Sequence, residues 1–179
     1  MRSIRSKKNS NIKRIISEWY IPILAALIVA ILIHKFVLFK VLVPTGSMEP
    51  AIMPGDQILV TRIYNPDKIK RGEIVVFNSK ELHDRLIKRV VGLPGDKVTI
   101  NDKGQVFINN NLLSEPYIKY PSDKTGNFVV PKDKFLMLGD NRADSFDARY
   151  WNNPYISGQD ITAKAVLRVY PFNRISLLN

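Results

Sequence analysis

The segment RLIKRVVGLPGDKVTINDKGQVFI, residues 85–108, contains three short apolar runs separated by turn residues. The runs 85–92, 97–101 and 105–109 are rich in β-branched residues, which favour strands over helices. The Gly, Pro, Asn and Asp residues between the runs are typical of tight turns. KVTI-NDKG-QVFI therefore predicts a β-hairpin, and the whole segment predicts short strands.

The same pattern extends through the chain past Lys40. Further β-branched or apolar runs, including FKVLVPTG directly before Ser47, are found at 39–46, 57–63, 73–78, 134–139 and 163–172. No segment past Lys40 has a convincing helical period. We therefore expect a mainly β domain over 40–179, a folded-over antiparallel or barrel-like sheet, with irregular segments at 110–133 and 140–162.

The apolar segment WYIPILAALIVAILIHKFVLF, residues 19–39, precedes this β region. A bilayer crossing needs about 20 mostly apolar residues, and Trp19 and Tyr20 lie where interfacial aromatic residues are common. This predicts a single transmembrane anchor. A cleaved signal peptide is the alternative, although no small-residue cleavage site follows the run. A buried core helix is the third interpretation.

Charge gives the expected orientation of the anchor. Six basic residues precede the first acidic residue, Glu18, so the segment 1–18 is a basic arm. By the positive-inside rule this arm is cytoplasmic, and residues 40–179 lie outside the cytoplasm. The net charge of +11 comes largely from the arm, which argues against nucleic-acid binding by the β domain.

Residue counts exclude some kinds of site. The chain has no cysteine, so it has no disulfide and no thiolate metal site. With two histidines, His34 and His83, a zinc site built on several histidines is also excluded. We expect neither a metal nor an organic cofactor.

Ser47 is the candidate nucleophile, in PTGSMEPAIMPGD, residues 44–56. A serine between Gly and Pro residues is usually a turn residue, and a nucleophilic serine needs a general base within hydrogen-bond reach. Seven residues separate Lys40 from Ser47, which spans at most about 25 Å of extended chain. Ser47 would therefore act close to the membrane surface.

Lys88 is the first candidate for the base. Alternate residues of a strand share a face, so Leu86, Lys88 and Val90 point one way. The opposite face carries Arg85, Ile87 and Arg89. A lysine on an apolar face is desolvated, which lowers its pKa, and a fall of about 2–3 units would make it a base near neutral pH. The alternative is that Lys88 reaches solvent beside the neighbouring arginines, as most lysines do.

The two histidines are weaker candidates for the base. His34 lies in the last turn of the predicted anchor. His83 lies in a polar, loop-like run, where it is most simply an exposed residue. Asp84 follows His83, so a Ser–His–Asp arrangement stays open as an alternative.

A third polar segment is LGDNRADSFDARYW, residues 138–151. Gly, Asp and Asn in a row predict a tight turn. Asp140 or Asp147 paired with Arg142 or Arg149 would brace this loop by charge-assisted hydrogen bonds. The alternative is a solvated, charged surface loop.

Taken together, these segments resemble the bacterial type I (leader) signal peptidases, membrane-bound Ser–Lys endopeptidases that remove signal peptides from exported proteins. PTGSMEPAIMPGD resembles the nucleophile box, IKRVVGLPGD the lysine box and GDNRADSFDAR the C-terminal box of that family, in the family's order behind an apolar segment. The lysine stands where the endoplasmic-reticulum branch has histidine. Ala148 departs from the serine that is common at its position.

The resemblance implies a role for each matching residue. Ser47 would be the nucleophile, Lys88 the general base, and the Ser47 N–H with the Thr45 hydroxyl the oxyanion hole. Ser145 would hold the lysine amine. A supporting pair would be formed by Asp147 and Arg149. The structural turn would be formed by Gly139, Asp140, Asn141 and Arg142.

The implied substrates are the signal peptides of exported preproteins, with membrane lipids and the secretion machinery as further partners. Two other functions fit parts of the chain. A peptidase-like protein that only binds exported subunits would need neither Ser47 nor Lys88. A membrane-tethered module for anionic polymers would carry its excess charge past residue 40, which this chain does not.

Overall fold

The computed structural model describes residues 16–178, so most of the predicted basic arm lies outside the described residues. Two compact units divide the chain, with the boundary between Leu38 and Phe39.

The first unit contains the apolar segment. A π-helical turn, Ile16–Tyr20, leads into helix α1, Ile21–Phe36. The described side chains from Ser17 to Leu32 are exposed. Within residues 16–178, none of the helices combines the length and the apolar character that crossing a bilayer requires.

Helix α1 ends before the C-terminal end of the predicted anchor, 19–39. The helix stops at Phe36, and strand β1 begins two residues later, at Leu38. Phe39 and Val41 of β1 pack against buried apolar residues of the second unit, which holds this part of the chain extended.

The second unit is built from two antiparallel sheets. The larger sheet runs in the order β1-β2-β11-β3-β4-β9-β10, with β12 beside β11. Its strands are β1 (Leu38–Leu42), β2 (Gln57–Arg62), β3 (Ile74–Ser79), β4 (Asp84–Gly92), β9 (Lys134–Leu138), β10 (Tyr155–Ser157), β11 (Ile161–Tyr170) and β12 (Ser176–Leu177). This path has two free ends, β1 and β10, so the sheet is open rather than barrel-like.

The smaller sheet has the order β7-β6-β5-β8. Its strands are β5 (Lys97–Ile100), β6 (Val106–Ile108), β7 (Asn111–Leu112) and β8 (Gly126–Val129). Ile100 pairs with Val106 across the turn between β5 and β6, so the predicted hairpin is confirmed.

Two buried apolar clusters cover the two faces of the central strands. The larger cluster includes Phe77, Val90 and Trp151, and the second includes Met48, Ile52 and Ile87. Strand β4 contributes to both clusters, because Val90 and Ile87 point to opposite faces of the sheet. Both faces of β4 are therefore covered.

Every strand that the sequence predicts is present, and the residues described past Phe39 contain only three-residue 3-10 helices besides strands and loops. The prediction missed four short strands. They are β7, β8, β10 and β12, of which β7 and β8 lie in the segment predicted to be irregular at 110–133 and β10 in that at 140–162.

Candidate active site

Ser47 lies in the loop between β1 and β2. Met48 and Ile52 in this loop are fully buried, and the Ile52 N–H donates to the Met48 carbonyl at 2.9 Å. Ser47 is half-buried and Thr45 is exposed. The two apolar side chains fix the loop to the sheet and leave Ser47 at its surface.

Asp56 closes the same loop, and its carboxylate is 1% exposed. It accepts hydrogen bonds from Arg174 at 3.1 Å and from Arg168 at 3.3 Å. Arg168 also donates to the Ala51 carbonyl at 2.7 Å. The C-terminal segment 168–174 therefore holds the Ser47 loop. The sequence did not indicate this role for Arg168, because 112 residues separate it from Asp56.

Lys88 lies in β4, between β3 and β9, and is 3% exposed. Leu86 and Val90, two residues to either side, pack in the larger apolar cluster, so the predicted strand phase is confirmed. The alternative in which Lys88 reaches solvent is wrong. Its Nζ donates a hydrogen bond to Ser145 Oγ at 3.1 Å.

Burial lowers the pKa of Lys88 to about 8, because the charged ammonium loses its hydration. The carboxylates of Asp147 and Asp140 oppose this shift, and Arg149 adds to it. An amine with this pKa is neutral in a useful fraction of molecules near neutral pH, as a general base must be.

Ser47 and Lys88 line one cavity of about 370 Å³. Thr45, Leu86 and Phe146 also line it. A larger cavity of about 540 Å³ lies elsewhere, lined by Pro66, Leu93 and Ser157 among others, but no lysine or histidine lines that cavity beside its serine. The smaller cavity is therefore the better candidate for chemistry.

The turn of residues 139–145 contacts both sides of this cavity. The Asn141 N–H donates to the Ser47 carbonyl at 3.1 Å, and its side-chain amide donates to the Gly46 carbonyl at 3.3 Å. Ser145, from the same turn, accepts the hydrogen bond of Lys88. A Cβ at Gly139 would lie 2.5 Å from the Ser47 carbonyl oxygen, so the close approach requires glycine.

Asp147 and Arg149 form a buried pair, which is one of the pairings that the sequence left open and the one that the resemblance implies. Arg149 donates to the two carboxylate oxygens of Asp147 at 2.8 and 2.9 Å, and Asp147 also accepts the Gly139 N–H at 2.9 Å. Because Asp147 is fully buried, the alternative of a solvated surface loop is wrong.

Asp140 and Arg142, the other two residues predicted to form such pairs, have partners that the sequence did not predict. Asp140 pairs with Arg89, through hydrogen bonds of 2.8 and 2.7 Å. Arg142 pairs with Glu115, through hydrogen bonds of 3.1 and 2.5 Å. Arg89 and Glu115 were missed because these contacts join residues 51 and 27 positions apart, and no local spacing indicates them.

The histidine alternatives are not assembled at the cavity. His83 is exposed in the turn between β3 and β4, at a φ of 52°. It does not line the cavity, although Asp84 does. The side chain of His34 lies outside what the structure describes. Among the described residues, no cluster of His, Asp or Glu could hold a metal ion.

Comparison with known proteins gives concordant results. A family model for signal peptidase, peptidase S26, matches residues 16–170. The chain is 37% identical to a probable signal peptidase I-2 of Synechocystis sp., over 99% of this chain and 84% of that protein. It is 38% identical to signal peptidase I of Leptolyngbya laminosa, over 86% and 79%.

One solved structure is also similar. A crystal structure of a signal peptidase I from Enterococcus faecalis V583 is 29% identical, with a TM-score of 0.46, and the match covers 54% of this chain and 96% of that one. The family model spans most of the chain, and the two relatives are each more than 30% identical to it. The chain therefore belongs to the signal peptidase family, peptidase S26.

Proposed function

We propose that the chain removes signal peptides from exported preproteins with Ser47 as nucleophile and Lys88 as general base. The observation that carries the proposal is the state of Lys88: it is buried, its pKa is lowered to about 8, and it lines one cavity with Ser47. A serine beside a neutral, oriented amine has the base that acyl transfer needs.

In the first half of the reaction, Ser47 Oγ attacks the carbonyl carbon of the scissile bond. Neutral Lys88 takes the hydroxyl proton as the new C–O bond forms. The developing oxyanion accepts hydrogen bonds from the Ser47 N–H and the Thr45 hydroxyl, donors of the kind that stabilise such intermediates. Thr45 is exposed on the same cavity, where its hydroxyl can turn toward the substrate.

In the second half, the ammonium of Lys88 gives its proton to the leaving amine as the C–N bond breaks. The mature protein leaves, and the signal peptide remains as an ester on Ser47. A water molecule then attacks this ester, with Lys88 again as the proton acceptor, and hydrolysis restores the Ser47 hydroxyl.

Ser145 contributes orientation. A lysine side chain has four rotatable bonds, so a buried amine without a partner would sample several positions. The hydrogen bond from Lys88 Nζ to Ser145 Oγ fixes one of them. Because one N–H of the amine is directed to Ser145, its lone pair has a defined direction for the Ser47 proton.

The proposal includes the location of the reaction. We propose that residues 19–39 hold the chain in the membrane, with 1–18 cytoplasmic and 40–179 outside the cytoplasm. Apolar side chains exposed along α1, such as Leu24 and Leu27 at 57% and 56%, are supporting evidence, because lipid is the environment that covers them. Lipids, exported preproteins and the secretion machinery are the corresponding partners.

Cleavage of a preprotein in mixed detergent–phospholipid micelles tests the proposal. The wild type is compared with Ser47→Ala and Lys88→Ala, and with Lys132→Ala as a matched control at an exposed lysine. We expect cleavage after a small residue by the wild type and the control, and a loss of roughly 10³-fold or more in both site variants.

Each other outcome has a defined meaning. Activity that survives in Lys88→Ala would assign the base elsewhere, with His83 the next residue to replace. A wild type that binds the preprotein without cutting it would favour a binding protein. Circular dichroism of each variant separates a lost reaction from a lost fold.

A further inference from the structure

A polar cluster of buried and half-buried residues lies at the turn of residues 139–145. Its members, which we call the support cluster, are Glu115, Tyr117 and Arg142. Glu115 accepts two hydrogen bonds from Arg142 and one from the Tyr117 hydroxyl at 2.7 Å. The Arg142 and Glu115 side chains are 3% and 8% exposed, so this ion pair is largely shielded from solvent.

The support cluster joins two parts of the chain. Glu115 and Tyr117 come from the loop between β7 and β8, and Arg142 comes from the turn of residues 139–145. A second contact lies nearby, because the Ala143 N–H donates to the Tyr120 carbonyl at 3.1 Å. The loop segment 115–120 is therefore attached to the turn at two points.

Arg142 transmits this attachment to the turn's backbone, since its Nε donates to the Gly139 carbonyl at 3.0 Å. Gly139 packs closely against both Ser145 and the Ser47 carbonyl. A shift of Gly139 would therefore move Ser145, which contacts Lys88, and would also disturb the backbone of Ser47.

The same cluster reaches the strand that carries Lys88. The Arg89 guanidinium lies 4.0 Å from the centre of the Tyr117 ring, and Arg89 also holds Asp140 of the turn. Burial and the Glu115 carboxylate raise the pKa of Tyr117, so its hydroxyl keeps its proton and remains a donor to Glu115. The ring thus contacts Arg89, and the hydroxyl contacts Glu115, the partner of Arg142.

We propose that Glu115 is a positioning residue for the reaction: through Arg142 it fixes the turn so that Ser145 holds Lys88 toward Ser47. Glu115 does not line the cavity of Ser47 and Lys88, so its effect passes through the turn. This inference rests on the proposed function, because it assumes that Lys88 is the base.

Replacing Glu115 by glutamine removes the charge and keeps the size of the side chain. Arg142 then loses its charged partner, the turn gains freedom, and Lys88 loses its fixed contact with Ser145 and gains solvent. We expect kcat to fall by roughly tenfold to a hundredfold, because small displacements of catalytic groups have effects of this size. KM should change much less, since the cavity lining is unaltered.

The pH profile is the measurement that a merely structural residue would not alter. A Lys88 amine that gains solvent has a higher pKa, so the rising limb of kcat/KM against pH should move to higher pH in Glu115→Gln. Tyr117→Phe keeps the ring under Arg89 and removes only the donor to Glu115, so its limb should move in the same direction by less.

Glu73→Gln is the matched control. Glu73 pairs with Lys164 at 2.7 Å in the same domain and also accepts the Lys70 N–H, so the described hydrogen bonds of its side chain lead away from the 139–145 turn and Lys88. The profile of this variant should match the wild type. If Glu115→Gln is less stable, each variant is assayed well below its own melting temperature. Tyr117→Phe then provides the milder change of the same contact.

A double variant tests the route. If Glu115 acts through Ser145, then Glu115→Gln adds little to the loss already caused by Ser145→Ala. Additive losses would overturn the inference, and so would a lower kcat in Glu115→Gln with the limb of its pH profile unmoved. In either case, a wild-type limb near pH 8 would leave the proposed function intact. A wild type without that limb would instead contradict Lys88 as the base.

Discussion

Two adjacent cations of strand β4, Lys88 and Arg89, are both 3% exposed but have opposite surroundings. Arg89 makes two hydrogen bonds to the Asp140 carboxylate and a third, at 2.6 Å, to the Gly72 carbonyl. Lys88 has a neutral partner, the Ser145 hydroxyl. Among the described residues, no carboxylate lies within ion-pair distance of Lys88.

In the proposed mechanism this difference separates a structural cation, Arg89, from a reactive one, Lys88. A buried guanidinium with a bidentate carboxylate stays charged and fixes the parts of the chain that it joins. A buried amine without such a partner is driven toward its neutral form. Both side chains are buried, so burial does not distinguish them; the proposal of Lys88 as the base depends on its neutral partner, Ser145.

The largest expected effect is on stability, from replacing Arg89 by methionine. Asp140 would then be a fully buried carboxylate without its partner, and breaking a buried pair in this way costs about 3–5 kcal/mol. Urea unfolding of the full-length chain in micelles, followed by tryptophan fluorescence, measures the loss. A double variant, Arg89→Met with Asp140→Leu, should recover part of it, and a single variant as stable as the wild type would contradict a structural role for Arg89.

Lys88→Met should have the opposite effect on stability. The pKa of Lys88 falls from 10.5 to about 8 on folding, so the folded state carries a penalty at low pH, on the order of 3 kcal/mol. Below pH 8 the variant, which has no buried charge, should be more stable than the wild type by up to this amount.

The same variant gives a signed pH dependence. Between pH 8 and 10.5 the unfolded wild type holds a proton that the folded state has lost, so the free energy of unfolding of the wild type rises with pH through this window. The advantage of Lys88→Met should therefore shrink and vanish above about pH 10.5. An advantage that does not change with pH would mean that Lys88 is not desolvated in the folded state.

Ser145→Ala should reduce kcat by roughly tenfold to a hundredfold, because Lys88 loses the contact that orients it. The matched control is Ser122→Ala, which removes a hydroxyl that accepts a hydrogen bond from the Lys124 N–H at 3.2 Å and does not line the cavity. Initial rates of preprotein cleavage compare the two variants. Equal, small effects would show that the hydroxyl of Ser145 has no special role.

Local patterns predicted the strands well because alternation and turn residues are local properties. β10 was missed because Tyr155–Ser157 is three residues long, between Pro154 and Gly158, and forms a strand only by pairing with β9. β12 is a two-residue strand beside β11 for the same reason. The apolar run continues past the end of the helix at Phe36 because Leu38–Leu42 form strand β1, whose Phe39 packs against buried apolar residues, and composition does not distinguish the two elements.

The site divides in the same way. Strand phase placed Lys88 on an apolar face, because alternation depends on neighbours in sequence. The residues left the pairing of Asp147 open between Arg142 and Arg149, and the resemblance implied Arg149. The partners of Asp140 and Arg142 depend on how distant segments meet, so local spacing gave the wrong pairs. The resemblance identified Ser145, but nothing in the sequence indicated Glu115 or Tyr117.

The smallest expected effect separates the two cations by titration. Only Lys88 should contribute a limb to the pH profile, because it alone exchanges a proton in the proposed reaction. Since the neutral amine is the active form, kcat/KM of the wild type should rise about tenfold per pH unit below pH 8 and level off above it. A midpoint near the ordinary lysine pKa would mean that Lys88 works from a solvated position, and one near the ordinary histidine pKa would make His83 the residue to replace. If the limb near pH 8 disappeared in Arg89→Lys as well as in Lys88 variants, the two cations would act as one group. Lys88 would then not differ from Arg89 in its role.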